Sequence, residues 1–294
     1  MRVVSINDYA RLDRPSLAWL IPRYLPAPSL IVLLGEPKVG KSFFALQIAN
    51  VIGSGGRLWG EQAKRGRVLY LQFDTSEMVW RERITTMREY GLGLSDNIFL
   101  VHPDDNPKWC DITDPAIQRW WRQAIEQTKP DVIIVDVYRE IHRKDENDST
   151  AGKVVGDTLM ELVKGYATIL LHHTPKIDLS AVDPDEVRPV NLARGSSYLA
   201  GKADALWLLS QHRLWIAPRF GESFHTEARL NTPGLWSFPA LEEGEVLATA
   251  VHEHPDSTLA SLWANRPRAE LSLVALAAQV RRLRCSRATP VAVS

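Results

Sequence analysis

A run of small and charged residues near the start of the chain has the spacing of a phosphate-binding loop. Gly35 and Gly40 are separated by four residues, and Lys41 and Ser42 follow directly. The two glycines permit backbone angles that let successive N–H groups turn towards one anion. A lysine and a hydroxyl at these positions suit the phosphates and the Mg²⁺ of a nucleoside triphosphate. The pattern therefore predicts that the chain binds ATP together with Mg²⁺.

The residues around this motif can supply the strand and the helix that such a loop needs. Residues 30–34 are an apolar run suited to a buried parallel strand, and residues 43–52 have the composition of a helix. The N-terminus of that helix favours phosphate because it carries a positive partial charge. A glycine-rich turn that binds no ligand is the alternative. The expected nucleotide contacts are Gly35, Glu36, Pro37, Lys38, Val39, Gly40, Lys41, Ser42 and Phe43.

Two later strand ends carry the carboxylates that hydrolysis of ATP requires. Asp136 closes an apolar run and is the expected Mg²⁺ ligand together with Ser42, because ligands bind at the carboxyl ends of parallel strands. Asp74 follows another such run and is the first candidate for polarising the attacking water. Glu77 is the second candidate, although it also suits a capping role in the first turn of a helix. A simple turn residue is the alternative explanation for Asp136.

A pair of histidines ends a further strand-like run. His172 and His173 follow residues 167–171, so they are expected at the same edge of the sheet. A histidine there can hydrogen-bond the γ-phosphate and transmit its presence to the following loop, residues 174–194. A purely structural role is the alternative for either ring. No cysteine or carboxylate accompanies the pair at the spacing of a metal site, so none is expected there.

Composition limits the class of protein. The chain has 294 residues, with 35 basic and 35 acidic side chains, so contact with nucleic acid would depend on local patches. Its two cysteines, Cys110 and Cys285, suggest neither a disulfide framework nor a metal site. No apolar run reaches the length of about 18 residues that a membrane helix needs, and no signal peptide is evident. A soluble cytoplasmic protein without membrane contact is expected.

Strand-like and helix-like runs alternate along the chain, which predicts an α/β fold with a mostly parallel central sheet flanked by helices. Three regions are expected. Residues 1–28 are a lead-in segment, extended over its second half, and residues 29–245 form the ATPase domain. Residues 246–294 form a short arginine-rich helical C-terminal extension, in which residues 261–294 hold six arginines and one acidic residue.

Taken in order, these motifs resemble the RecA-like P-loop ATPases of the RepA/DnaB-like hexameric helicase group. The resemblance extends from Trp19 to Phe238. It is carried by WLIP at 19–22, GEPKVGKS at 35–42, RVLYL at 67–71, DEND at 145–148, LHHTPK at 171–176 and ARGSS at 193–197. It implies a RecA-like core, ATP sites between the subunits of a homo-oligomeric, hexameric ring, and single-stranded DNA as a partner.

The resemblance also implies roles for late residues. Arg219 occupies the place of the group's arginine finger, which reaches the γ-phosphate of a neighbouring subunit; a solvated hairpin residue is the alternative. The loop at 174–194 matches the group's DNA-contacting loop, where Lys176, Arg188 and Arg194 are the basic candidates.

Two departures from the group bear on activity. The group carries a glutamate where this chain has Asp74, and related motors often carry a lysine where it has Ala217. The leading hypothesis is a DNA-acting ATPase motor of the replicative helicase or recombinase type. An ATP-gated module that binds DNA or protein with little hydrolysis is the alternative, and a P-loop kinase acting on a small metabolite is the third.

Overall fold

The computed structural model describes residues 3–12, 18–89, 93–101, 105–107, 110–144, 149–176, 178–179, 182–193, 197–219, 221–231, 234–239 and 241. The expected C-terminal extension at 246–294 lies outside the described residues. So do the DEND motif at 145–148 and Arg194, and these remain predictions.

The described residues form six α-helices and fourteen strands. The helices are α1 (Ile6–Arg11), α2 (Lys41–Ser54), α3 (Glu77–Glu89), α4 (Pro115–Thr128), α5 (Ser149–Leu162) and α6 (Ser197–Lys202). The strands are β1 (Ala18–Ile21), β2 (Leu25–Ala27), β3 (Ser29–Gly35), β4 (Arg57–Leu58), β5 (Glu61–Gln62), β6 (Val68–Gln72), β7 (Ile98–Leu100), β8 (Val132–Asp136), β9 (Ala167–His173), β10 (Ala205–Leu209), β11 (Arg213–Pro218), β12 (Phe224–Glu227), β13 (Arg229–Asn231) and β14 (Leu235–Ser237). No helix in the described part of the chain has the length and apolarity that crossing a bilayer requires.

Eight strands form the central sheet, in the order β12-β11-β10-β3-β9-β8-β6-β7. The six strands from β10 to β7 are parallel to one another, and β11 and β12 extend the sheet in antiparallel fashion. Strands β3, β6, β8 and β10 are buried along their whole length, as expected for a parallel sheet covered on both faces. The predicted α/β architecture is confirmed.

Alternating side chains of the sheet pack into two separate cores. On the first face, here called the α2 face, strand residues pack with Phe44 and Ile48 of α2 and Trp80 of α3. On the opposite face, here called the α5 face, they pack with Trp121 of α4 and Val155 of α5. Because side chains alternate along a strand, the parity of a residue decides which face it reaches.

The lead-in segment packs into the domain. Strands β1 and β2 form an antiparallel pair, and their residues Leu20, Ile21 and Leu25 are buried in the core of the α2 face. The extended character predicted for residues 19–28 therefore takes the form of a hairpin, and helix α1 ahead of it was not predicted. The proposed boundary at residue 28 stays a prediction.

Candidate active site

The phosphate loop connects the end of β3 to the start of α2, as the sequence predicts. Gly40 has φ 102°, in the left-handed region where a side chain is strained. Gly35 is constrained differently, because a Cβ atom there would lie 2.6 Å from the backbone oxygen of Leu209 in β10. Both glycines of the motif are therefore required by local geometry, one by its backbone angle and the other by a neighbouring strand.

The ammonium group of Lys41 is held inside this loop. Its Nζ donates to the carbonyl oxygens of Gly35 (2.8 Å) and Glu36 (2.9 Å) and lies 3.1 Å from Nδ1 of His173. Because an ammonium group cannot accept a hydrogen bond, Nδ1 of His173 is the acceptor. Burial lowers the pKa of Lys41 to about 8, and the charges of Asp136, Asp74 and Glu36 oppose that shift.

Asp136 lies beside this lysine at the carboxyl end of β8. Its side chain is 3% exposed, and its Oδ2 accepts a hydrogen bond of 2.8 Å from the hydroxyl of Tyr70 in β6. Burial raises the pKa of Asp136, while hydrogen bonding by the hydroxyls of Ser42 and Tyr70 lowers it. Ser42 at the start of α2 and Asp136 at the end of β8 are thus neighbours, as their expected shared role requires.

The two candidates for polarising water differ in their surroundings. Asp74 is exposed just beyond β6, and its charge acts on both Lys41 and Asp136. The side chain of Gln72, which hydrogen-bonds the backbone of Thr75, shapes the turn that presents it. Glu77 instead pairs with Arg81 at 2.5 Å, one turn along α3. The geometry therefore favours Asp74 for the role.

The tandem histidines point to opposite faces of the sheet. His173 lies on the α2 face and contacts Lys41. His172 is 2% exposed and lies on the α5 face, where its ring meets that of Tyr138 edge-on at 5.0 Å. The structure brings His173 to the phosphate loop and places His172 on the other side of the strand. Residue parity along β9 causes this separation.

Arg219 and the phosphate loop lie at opposite ends of the strands of the sheet. It follows β11, whose Pro218 pairs with Ala205 at the start of β10, while Gly35 pairs with Leu209 at the other end. Its guanidinium group donates to the carbonyl oxygens of Gly201 (2.7 Å) and Ala203 (2.9 Å) near the end of α6. This position excludes contact with the phosphate loop of its own chain.

Three residues near the loop were not predicted from the sequence. Tyr70 contacts Asp136, and the guanidinium of Arg83 in α3 lies 4.6 Å from the ring centre of Phe43. Trp236 of β14 donates from Nε1 to the carbonyl oxygen of Gly40 at 3.2 Å. A tyrosine between two leucines of a strand-like run was the one available signal. The other two contacts depend on packing of distant segments.

Two further hydrogen bonds join the hairpin β13–β14 to helix α2. The side-chain amide of Gln47 donates to the carbonyl oxygen of Trp236 and accepts from its backbone N–H, each at 2.9 Å. The same hairpin places Gly234 against Phe43, so closely that a Cβ at Gly234 would lie 2.4 Å from the ring. The loop is therefore braced by a segment about 190 residues later in the chain.

A cavity of about 680 Å³ adjoins the start of the phosphate loop. Glu36 and Val39 form one wall, residues 174–176 another, and the turn at 210–213 a third. The backbone N–H of Thr174 donates to the carbonyl oxygen of Gly35 at 3.1 Å, so the loop after β9 is tied directly to the phosphate loop. The cavity lies beside the lysine site and not over Asp136.

These residues fit a bound ATP with Mg²⁺. The loop is a glycine cradle, Lys41 supplies a cation, and Ser42 and Asp136 supply oxygen ligands of the kind Mg²⁺ prefers. The described residues contain no cluster of three or more histidine, cysteine or acidic side chains suited to a metal. A magnesium ion held by few protein oxygens and by phosphates is consistent with that arrangement.

Comparison with known proteins identifies the family. A family model described as an AAA domain matches residues 2–178, more than half of the chain. The chain belongs to this AAA-domain family. The DNA repair protein RadA of Streptococcus pyogenes, in serotypes M6, M18 and M1, is 30% identical to this AAA-family chain over 154 residues. That match covers 50% of the chain but only 28% of the length of RadA.

Solved structures show the same fold. The KaiC-like protein PH0186 of Pyrococcus horikoshii has a TM-score of 0.50 and 13% identity, over 74% of this chain and 93% of its own. The ATPase domain of G40P has the same score and identity, over 71% and 84%. The predicted RecA-like fold, with a mostly parallel central sheet flanked by helices, is therefore confirmed.

Proposed function

We propose that this AAA-family protein is a DNA-acting motor that hydrolyses ATP with Mg²⁺ between the subunits of a ring. The observation that carries the proposal is the convergence of Lys41, Asp136, Asp74 and His173 at one edge of the sheet. Each of the four has the chemistry that phosphoryl transfer to water requires. The similarity to a protein named for DNA repair supports DNA as the partner.

The residues have separable roles in this proposal. Backbone N–H groups of the loop and the Lys41 ammonium bind the phosphates, and Ser42 and Asp136 would hold a bound Mg²⁺. The ion would supply positive charge that stabilises the negative charge of the transferring phosphoryl group. Asp74 orients the attacking water and accepts its proton. Because Nδ1 of His173 accepts a hydrogen bond from Lys41, the neutral ring carries its proton on Nε2. The Nε2–H group can donate a hydrogen bond to the γ-phosphate.

Assembly into a ring, of six subunits by resemblance, would complete the site. Arg219 lies at the far edge of the sheet, so it can reach a phosphate only on a neighbouring subunit. The loop after β9 would contact single-stranded DNA, with Lys176 and Arg188 as the described basic candidates. Acidic residues of the same loop, Asp183 and Asp185 among them, limit its charge. The cytoplasmic location expected from the cysteines stays a prediction.

The test is steady-state ATP hydrolysis with and without single-stranded DNA, using Lys41→Ala as the blank. We expect a rate that depends on Lys41 and rises with DNA, because the loop after β9 is bonded to the phosphate loop through Thr174. A rate that is independent of DNA, in a protein that stays monomeric with nucleotide, would contradict the motor.

A second candidate, an ATP-gated binding module with little hydrolysis, is favoured by Asp74. Its side chain is one methylene shorter than the glutamate of the resembling group, so it holds water less closely. Asp74→Glu distinguishes the two functions, with Asp74→Asn as the matched control. If the parent protein hydrolyses ATP very slowly and Asp74→Glu hydrolyses it faster, the binding-module hypothesis is supported. Rapid ATP hydrolysis by the parent protein would contradict that hypothesis.

A further inference from the structure

Tyr70 places a hydroxyl group in the buried interior of the central sheet. It lies in the fully buried strand β6, between Leu69 and Leu71, and its side chain is 0% exposed. Its hydroxyl donates to Oδ2 of Asp136 at 2.8 Å. A phenylalanine would fill the same space. Burying the extra hydroxyl is costly unless it is hydrogen-bonded, so the bond to Asp136 gives it a purpose beyond packing.

The strand register lets Tyr70 reach the carboxylate from one side. Gln72 is the residue that pairs with Asp136 across the β6–β8 ladder, and Tyr70 pairs with Ile134. Tyr70 therefore reaches Asp136 diagonally along the same face. Its ring lies 5.2 Å from that of Trp80 in α3, and this packing restricts the position of the hydroxyl. A fixed donor holds one oxygen of the carboxylate in place.

We propose that Tyr70 is a positioning residue for the Mg²⁺ site, orienting Asp136 so that its other oxygen is presented to the metal and to Ser42. The inference rests on the proposed function. Mg²⁺ demands nearly ideal octahedral geometry, and hydrogen bonds that orient its ligands typically change metal affinity about 10-fold to 100-fold.

The experiment measures binding of a fluorescent ATP analogue in EDTA and at rising Mg²⁺ concentration. In Tyr70→Phe we expect half-saturation at an Mg²⁺ concentration about tenfold higher than in the parent, with affinity in EDTA changed by less than about twofold. Tyr24→Phe is the matched control, because that ring is buried against Trp59 and does not contact Asp136. Its Mg²⁺ dependence should equal that of the parent.

A double-mutant cycle separates positioning from packing. In an Asp136→Asn background, removal of the Tyr70 hydroxyl should leave the remaining Mg²⁺ dependence unchanged. Equal Mg²⁺ dependence in Tyr70→Phe and the parent would overturn the inference while leaving nucleotide binding intact. A parent that does not bind the analogue at all would overturn the proposed function, and this inference with it.

If Tyr70→Phe does not fold, 3-fluorotyrosine at position 70 keeps both ring and hydroxyl. Its ¹⁹F resonance should move when Mg²⁺ is added to the nucleotide-bound protein, whereas 3-fluorotyrosine at position 24 should not respond. A resonance at position 70 that stays unmoved would overturn the inference.

Discussion

At the scale of single residues, the environment of Lys41 decides how nucleotide binding depends on pH. Its ammonium is buried and hydrogen-bonded to two carbonyl oxygens and the ring of His173. These neutral acceptors do not fully replace water, so burial lowers the pKa to about 8. Bound phosphates would raise the same pKa, because an anion nearby favours the charged form.

This difference predicts proton uptake on binding above about pH 8. Below that value Lys41 is charged before and after binding, so affinity should be flat. Above it, affinity should fall by about tenfold per pH unit, until the pKa of the complex is reached. Titration of a fluorescent ATP analogue from about pH 7.5 to 9.5 measures this. Lys41→Met should bind weakly without the trend, and a flat profile in the parent would contradict the prediction.

Substitutions of the two histidines should affect different quantities, kcat for His173 and the free energy of unfolding for His172. If His173 has its proposed role, His173→Asn withdraws the Nε2 donor from the phosphate site and should lower kcat by about 100-fold, the usual cost of a lost transition-state donor. His172→Asn instead loosens packing against Tyr138 and should cost about 1–3 kcal/mol of unfolding free energy, with kcat per folded molecule little changed. Hydrolysis rates and urea unfolding of both variants check this. The reverse pattern would show that His172 acts on the nucleotide.

At the scale of elements, the phosphate loop depends on contacts from strands distant in sequence. β10 approaches Gly35 so closely that no side chain fits there, and the hairpin β13–β14 fastens α2 through Gln47. The short strands of this hairpin escape recognition in the sequence, because three residues are too few to establish a period. Their effect on the loop comes from position and not from composition.

The close approach of β10 predicts a cost for enlarging Gly35. Gly35→Ala should lower the free energy of unfolding by about 1–3 kcal/mol, because its Cβ would meet a backbone oxygen that cannot move alone. Gly201→Ala in α6 is the matched control: among the described residues, no heavy atom outside its own helix would lie within 4 Å of a Cβ added there, so a gain of about 0.5–1 kcal/mol is expected. Urea unfolding of both variants measures the difference. Equal stability would refute the steric argument.

At the scale of the whole molecule, the eight-stranded sheet separates the phosphate loop from Arg219. The carboxyl ends of β3, β6, β8 and β9 carry the phosphate loop, Asp74, Asp136 and His173. Arg219 lies at the opposite ends of the strands, where its guanidinium group donates hydrogen bonds to the carbonyl oxygens of Gly201 and Ala203. A site that uses both edges therefore requires two copies of the chain, as in a ring with head-to-tail interfaces.

Mixing two inactive variants tests that requirement. Lys41→Ala and Arg219→Ala should each lack activity, yet a mixture should recover about a quarter of the interfaces, since that share combines intact Lys41 with intact Arg219. Hydrolysis by the remixed proteins is the measurement, with thermal unfolding to confirm that Arg219→Ala keeps its fold. Full activity in Arg219→Ala alone would mean that the residue only braces α6.

The sequence by itself determined the features that depend on local spacing. The phosphate loop, the carboxylates at 74 and 136, and the α/β alternation follow from glycine placement and apolar runs, which act over a few neighbouring residues. The observed fold confirms the α/β alternation, and the roles of the two carboxylates stay predictions. Asp74 and Glu77 stayed alternatives, because both lie just beyond the same strand.

Only the tertiary structure decided what depends on register and on distant strands. Parity along β9 puts His173 and not His172 on the α2 face. Pairing of β6 with β8 brings Tyr70 to Asp136 across 66 positions of sequence, and the antiparallel turn into β11 carries Arg219 to the far edge. No local pattern encodes these contacts, because each is set by how whole strands align when the sheet buries both of its faces.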